Sequence, residues 1–181
     1  MISRIRQRLK TYKPQDIYCV RSKWAGVLVP LLEMDREPFV ILTKRAHTVR
    51  AHKGEVSFPG GMYEENDDDR KNTALRECHE EIGVNINDVE VIGRLDDMYT
   101  LTGFCMRPYV GVVPFPYPFR TNPHEVAYLI YLPFEFLKQV EPVPEDAEYK
   151  GHVEKVPSFY YKGDRIWGAT CRILLRLRRI V

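Results

Sequence analysis

The chain has 181 residues, 44% hydrophobic and 29% charged, with a formal net charge of +2. That length fits one domain with its own core, and the composition excludes an intrinsically disordered chain. The small net charge excludes a general polyanion-binding field, and no run reaches the roughly 18 consecutive apolar residues of a membrane-spanning helix.

The opening stretch MISRIRQRLKTYKP is basic and free of acid. It reads either as an Arg-rich organellar presequence or as a short helix with Ile2, Ile5 and Leu9 inward, and the helix is preferred because Ser3 is its only serine. Residues 24–34 and 38–43 are apolar, β-branched runs separated by the acidic turn DREP, which predicts neighbouring strands. A short extended piece at 54–58 ends in a Pro59-Gly60-Gly61 break. A helix is predicted over 69–82, closed by Gly83 as a left-handed cap. Strands are predicted at 89–95, 109–115 and 125–133, and a short helix at FEFLKQ. The polar stretch VEPVPEDAEYKGHVEKVPS reads as a loop. An aromatic strand, FYY, then leads to a final helix over 168–180, whose Ile173, Leu174, Leu177 and Ile180 recur at helical spacing. This order predicts a mixed sheet with helices on both sides. Cys19, Cys78, Cys105 and Cys171 are scattered without zinc-site spacing, so reduced thiols in a cytoplasmic compartment are expected.

The helix at 69–82 poses the chemical question. Glu77, Glu80 and Glu81 fall at i, i+3 and i+4 on one face, while Ala74, Leu75, Cys78 and Ile82 gather roughly opposite. Three like charges so close destabilise a helix, and Asn66 to Asp69 already serve its N-terminus. A salt-bridged surface face would explain the pattern in isolation. The glycine turn upstream and Arg76, placed to orient a carboxylate, favour a site for a hard divalent cation with oxygen ligands.

These residues resemble the Nudix family. RECHEEIGV at 76–84 fits the end of the Nudix box, R-E-U-x-E-E-x-G-U, and the box spans about 61–84. Seven residues separate Asp68 from Arg76, at the position where the box has Glu, which leaves one extra residue between it and Gly61. Upstream, ILTKRAHTVRAHKGEVSFPGG at 41–61 resembles the signature of coenzyme A pyrophosphatases, with Leu42, Thr43, Arg45, Ala46, Arg50, Gly54 and Phe58 to Gly61 in register.

The resemblance implies a single Nudix domain over 1–181 with an α/β/α sandwich and a central mixed β-sheet. It implies hydrolysis of the pyrophosphate of coenzyme A or acyl-CoA to 3′,5′-ADP and 4′-phosphopantetheine or its acyl form. Mg²⁺ or Mn²⁺ would sit on Glu77, Glu80 and Glu81 with the Gly61 carbonyl, and Arg76 would join them in catalysis. Arg50 would bind substrate phosphate; Arg45 would bind phosphate or hold the fold by pairing with an acid. Lys44 and Lys53 could add charge. The base is Glu77, Glu81 or, outside the box, Glu125. His79 is expected to face solvent, and the FPYPF loop either receives pantetheine or packs as a lid. Trp167 is expected to pack in the core, with stacking on adenine as the alternative. The expected partner is a small molecule, with no nucleic acid, and the sequence admits a homodimer. The competing readings are a pyrophosphatase for ADP-ribose or NADH and, more distantly, a non-catalytic ligand sensor.

Overall fold

The computed structural model describes residues 1–19, 23–49 and 52–181, with only the backbone of His152. The first helix, α1 (Ile2–Thr11), buries Ile2, Ile5 and Leu9 and turns its arginines outward, which bears out the helical reading of the basic stretch. The strands β1 (Lys23–Met34) and β2 (Glu37–Arg45) form the predicted antiparallel pair across the acidic turn, where Asp35 and Arg36 both have positive φ. Two short strands follow, β3 (Val56–Ser57) on β2 and β4 (Gly60–Met62) on β1. The glycine pair expected as a break is therefore a strand, because Gly60 and Gly61 lie flat against Val27 and Gly26.

Helix α2 (Arg70–Ile82) is capped by Asp69, whose carboxylate accepts the Asn72 N–H at 2.8 Å, and by Gly83 at φ 72°. Beyond a 3-10 turn at Ile86–Asp88 come β5 (Glu90–Arg94), β6 (Met98–Tyr99), β7 (Phe104–Val112) and β8 (Val126–Pro133). The strand expected at 109–115 starts earlier and ends before Pro114, since its whole length pairs in parallel with β1, Lys23 to Leu31 facing Phe104 to Val112. All the other pairings are antiparallel, so the eight-stranded sheet is mixed, as expected. After α3 (Phe134–Gln139), the stretch expected as a polar loop forms a hairpin of β9 (Val143–Tyr149) and β10 (His152–Tyr161). With β11 (Asp164–Trp167) they make a second, three-stranded sheet, and α4 (Gly168–Ile180) closes the chain at the predicted bounds.

Helix α2 covers one face of the large sheet through Ala74, Leu75, Cys78 and Ile82 against Leu28, Val84, Val113 and Val126. The other face packs against α1, α3 and α4 through Val29, Leu31, Leu42, Ile5, Phe134, Leu174 and Leu177. No helix among the described residues is long and apolar enough to cross a membrane. The cysteine expectation is corrected in part. Cys19 and Cys105 are paired as a disulfide with Cα atoms 6.5 Å apart, and only Cys78 and Cys171 are free, both buried. The pair was hidden because the two residues meet only through tertiary structure: Asp96 accepts the Tyr12 hydroxyl and the Gln15 N–H, which draws the segment before Cys19 along the sheet edge.

The helix α2 can lie so close to β1 because Gly26 has no side chain. A Cβ there would stand 2.2 Å from the Arg70 carbonyl oxygen. Gly26→Ala is expected to lift the first turn of α2 and destabilise the protein by about 1–3 kcal/mol, read as a lowered urea midpoint. An unchanged midpoint would mean that α2 does not rest on this contact.

Candidate active site

The site is assembled on the C-terminal half of α2, an acid just before its first turn and the strand beneath it. Asp67, just before the helix cap, is 7% exposed. Its carboxylate accepts Arg76 Nε at 3.0 Å, Arg76 Nη2 at 3.1 Å, the Thr73 hydroxyl at 2.8 Å and the Glu64 N–H at 3.1 Å. The Arg76 hydrogen bonds, above all, hold its carboxyl down from 3.8 to about 2. Asp67, not Asp68, therefore takes the place expected of the box acid. Asp68 is exposed and accepts only the Asn72 side-chain amide at 3.2 Å. The extra residue thus lies between Asp67 and Arg76, on the opposite side of the acid from where the sequence comparison set it.

The remaining donors of Arg76 are spent on the site. Nη1 reaches Glu77 Oε1 at 2.9 Å and Glu80 Oε2 at 3.3 Å, and Nη2 reaches the Met62 carbonyl at 3.2 Å. Glu77 leans over β4: a Cβ on Gly61 would stand 2.3 Å from its Oε1, so a side chain there would push the carboxylate out of its place. Burial raises the Glu77 carboxyl, opposed by Arg76.

Glu81 is 3% exposed, and burial pushes its carboxyl up to about 8, against the nearby Arg45 charge and a Gly60 N–H hydrogen bond. Its Oε2 has no hydrogen-bond partner among the described residues. A buried carboxylate oxygen without a donor is costly unless something positive meets it.

The loop after β7 brings a fourth glutamate. Arg120 and Asn122 donate backbone N–H groups to the Ile82 and Glu81 carbonyls at 3.0 and 2.9 Å, covering the open C-terminal end of α2. Glu125 and Val126 donate back to Asn122, and Ala46 donates to the Glu125 carbonyl at 2.8 Å. These bonds set Glu125 close enough to act electrostatically on both Glu77 and Glu81. Glu125 was within reach of sequence reading only as an acid after a proline turn.

Of the expected basic residues, Arg45 ends β2 beside a register shift, and its Nε is buried without a partner. It forms no ion pair among the described residues; Glu55, the acid across the β2–β3 turn, instead meets His52 at 3.0 Å. Arg50 lies outside the described residues. Lys44 is corrected to a structural role, since its Nζ binds Asp164 at 2.8 Å and ties β2 to the second sheet. His79 is exposed, as expected, and its Nδ1 is 3.1 Å from the Val84 carbonyl. The FPYPF loop packs away from the site, with Tyr117 bonded to the Asn85 N–H and Asp88 at 2.8 Å. Trp167 lines a cavity next to the site.

Among the described residues, no three acidic, histidine or cysteine side chains yet converge as a closed ligand set. Arg76 draws Glu77 and Glu80 to itself. The donors are nevertheless all hard oxygens, and the unpartnered Glu81 oxygen beside the Gly60–Gly61 strand fits a small divalent cation.

The NUDIX domain model matches residues 22–157. A protein named uncharacterized Nudix hydrolase NudL from Enterobacter sp. (strain 638) is 34% identical over 172 residues, which cover 94% of this chain and 88% of that protein. Its namesake from Cronobacter sakazakii is 34% identical over 178 residues, covering 97% and 92%. Among solved structures, a C. elegans Ap4A hydrolase in a binary complex superposes with a TM-score of 0.53 over 61% of this chain and 80% of its own, at 14% identity. That last likeness is one of fold.

Because the Asp67 carboxyl is depressed in the folded protein, its contribution is fully present above its unfolded value and is lost as pH falls from about 4 to about 2. Asp67→Asn is expected to cost about 2 kcal/mol at pH 7 and to flatten the acid limb of stability in that window. Urea titrations at pH 7 and pH 3 check both, and an equal loss at the two pH values would remove the carboxylate charge from the account.

Proposed function

The chain belongs to the Nudix family and is a pyrophosphohydrolase, and on that premise we propose that its substrate is coenzyme A or an acyl-CoA. One observation carries the reading. The residues in register with the coenzyme A signature include Arg45, and that arginine stands beside the glutamate helix with a buried, unpartnered guanidinium nitrogen. A planar donor held unpaired next to acidic groups suits a diphosphate oxygen.

Glu77, Glu80 and Glu81, with the Gly61 carbonyl, would hold Mg²⁺ or Mn²⁺. When bound, the ion supplies charge to polarise the diphosphate and to lower the pKa of an attacking water. The chain's own residues do the rest. Arg76 fixes the direction of Glu77 and Glu80 through its Nη1. Arg45 receives a phosphate oxygen, and Arg50 in the same signature takes a second anionic group of the substrate. Glu125 forms no ion pair among the described residues and stands nearest to the role of proton acceptor, because the other glutamates of the cluster would be taken up in holding the ion. Water adds to one phosphorus, the bridging P–O bond breaks, and the products are 3′,5′-ADP and 4′-phosphopantetheine or its acyl form.

The deciding experiment incubates the purified protein with coenzyme A and Mg²⁺ or Mn²⁺, with and without chelator, and separates the products. Metal-dependent release of 3′,5′-ADP is expected. Cleavage of ADP-ribose or NADH in place of coenzyme A would overturn the substrate and leave the chemistry. Glu80→Gln is expected to lower turnover by about 10²-fold or more with the fold intact, since this side chain is exposed. Near-normal turnover by a folded Glu80→Gln protein would take Glu80 out of the ligand set.

A further inference from the structure

Behind the diphosphate position a cavity of about 470 Å³ runs between β1, β4 and β7 of the large sheet and the second sheet with α4. Its lining includes Arg45, Gly60 and Gly61 of the site, and the rest of the walls are mostly carbon, among them Val27, Leu101, Phe104, Met106, Trp167 and Ile173. A chamber of this volume is in the range of small-molecule sites. An open apolar chamber beside a charged reaction centre needs an occupant, because its walls otherwise stay in water.

The two halves of coenzyme A differ sharply in what they can bury. The adenosine half carries a 3′-phosphate, and a buried phosphate needs cations. Among the described residues of the chamber wall the cations are few. Arg45 belongs to the site, Arg172 is already paired with Glu154, and His52 is bonded to Glu55. Two lining carboxylates, Glu55 and Glu148, oppose an anion further. The pantetheine half is uncharged, and an acyl chain on its sulfur is purely apolar.

Resting on the coenzyme A reading, we propose that this chamber takes the pantetheine arm and its thioester-linked acyl chain, leaving the nucleotide outside, and that it makes the enzyme prefer acyl-CoA to free coenzyme A. Phe104, Met106 and Trp167 are then residues that set specificity. The hydrolysis itself is unchanged: the thioester stays intact and leaves on the phosphopantetheine product.

The test measures kcat/KM for coenzyme A and for its acetyl, butyryl and hexanoyl thioesters. A rise of about three- to fourfold per added methylene is expected until the chamber is full. Ala169→Trp, which places an indole on the lining at the start of α4, is expected to flatten the series. It should weaken product inhibition by 4′-phosphopantetheine at least tenfold and leave inhibition by 3′,5′-ADP unchanged. Phe104→Ala, a milder change in the same wall, should lower the hexanoyl value more than the coenzyme A value. A flat wild-type series, or a variant that loses 3′,5′-ADP inhibition instead, would overturn the chamber's role while coenzyme A cleavage still stood. A protein that cleaves ADP-ribose and no coenzyme A compound would remove the substrate reading and this inference with it.

Discussion

The guanidinium of Arg76 is the constraint on which the site depends. Its donors are divided between a buried acid that fixes it, Asp67, and the two glutamates that it aims, Glu77 and Glu80, with the Met62 carbonyl between. A lysine could not do this, because a point charge has no fork to hold three directions at once. The arrangement also explains how three glutamates can share one helix face. Like charges at i, i+3 and i+4 repel by a few tenths of a kcal/mol per pair, a small cost beside the charge-assisted hydrogen bonds that offset it.

Beneath this fork lies a floor of glycine. Gly26 and Gly61 face each other across β1 and β4, one under the Arg70 carbonyl and the other under the Glu77 carboxylate. The sheet therefore lets the helix approach at the two points where the site needs it. Elsewhere α2 is kept off the strands by ordinary side chains, Leu75, Cys78 and Ile82.

What the sequence made legible was local. Gly83, the helix bounds, the glutamate face and the last helix all follow from spacing and capping, which act over a few residues. The box acid was misplaced because Asp67 and Asp68 are chemically alike, and only burial against Thr73 and Arg76 tells them apart. The hairpin of β9 and β10 was hidden by its charges and prolines, although its turn carried a readable signal. Lys150 and Gly151 both have positive φ, at 50° and 78°, which is the two-residue turn that a Lys-Gly pair between extended segments permits. The loop from Arg120 to Glu125 owes its place to backbone bonds with the end of α2, which no side-chain pattern announces.

The parallel pairing of β1 with β7 has a bearing on how the molecule comes into being. These strands stand far apart in the chain, with α2, β5 and their caps between them. Loop entropy must be overcome before such a pair gains anything, whereas α2 can form from its own caps and short-range bonds. The carboxylate helix is thus expected early in folding and the apolar chamber, one wall of which is β7, late. A chain caught between the two would display Phe104 and Met106 beside an unpaired strand edge. Its hazard is self-association during synthesis, so that the wall which lines the chamber in the finished protein is the part of the nascent chain most in need of shelter.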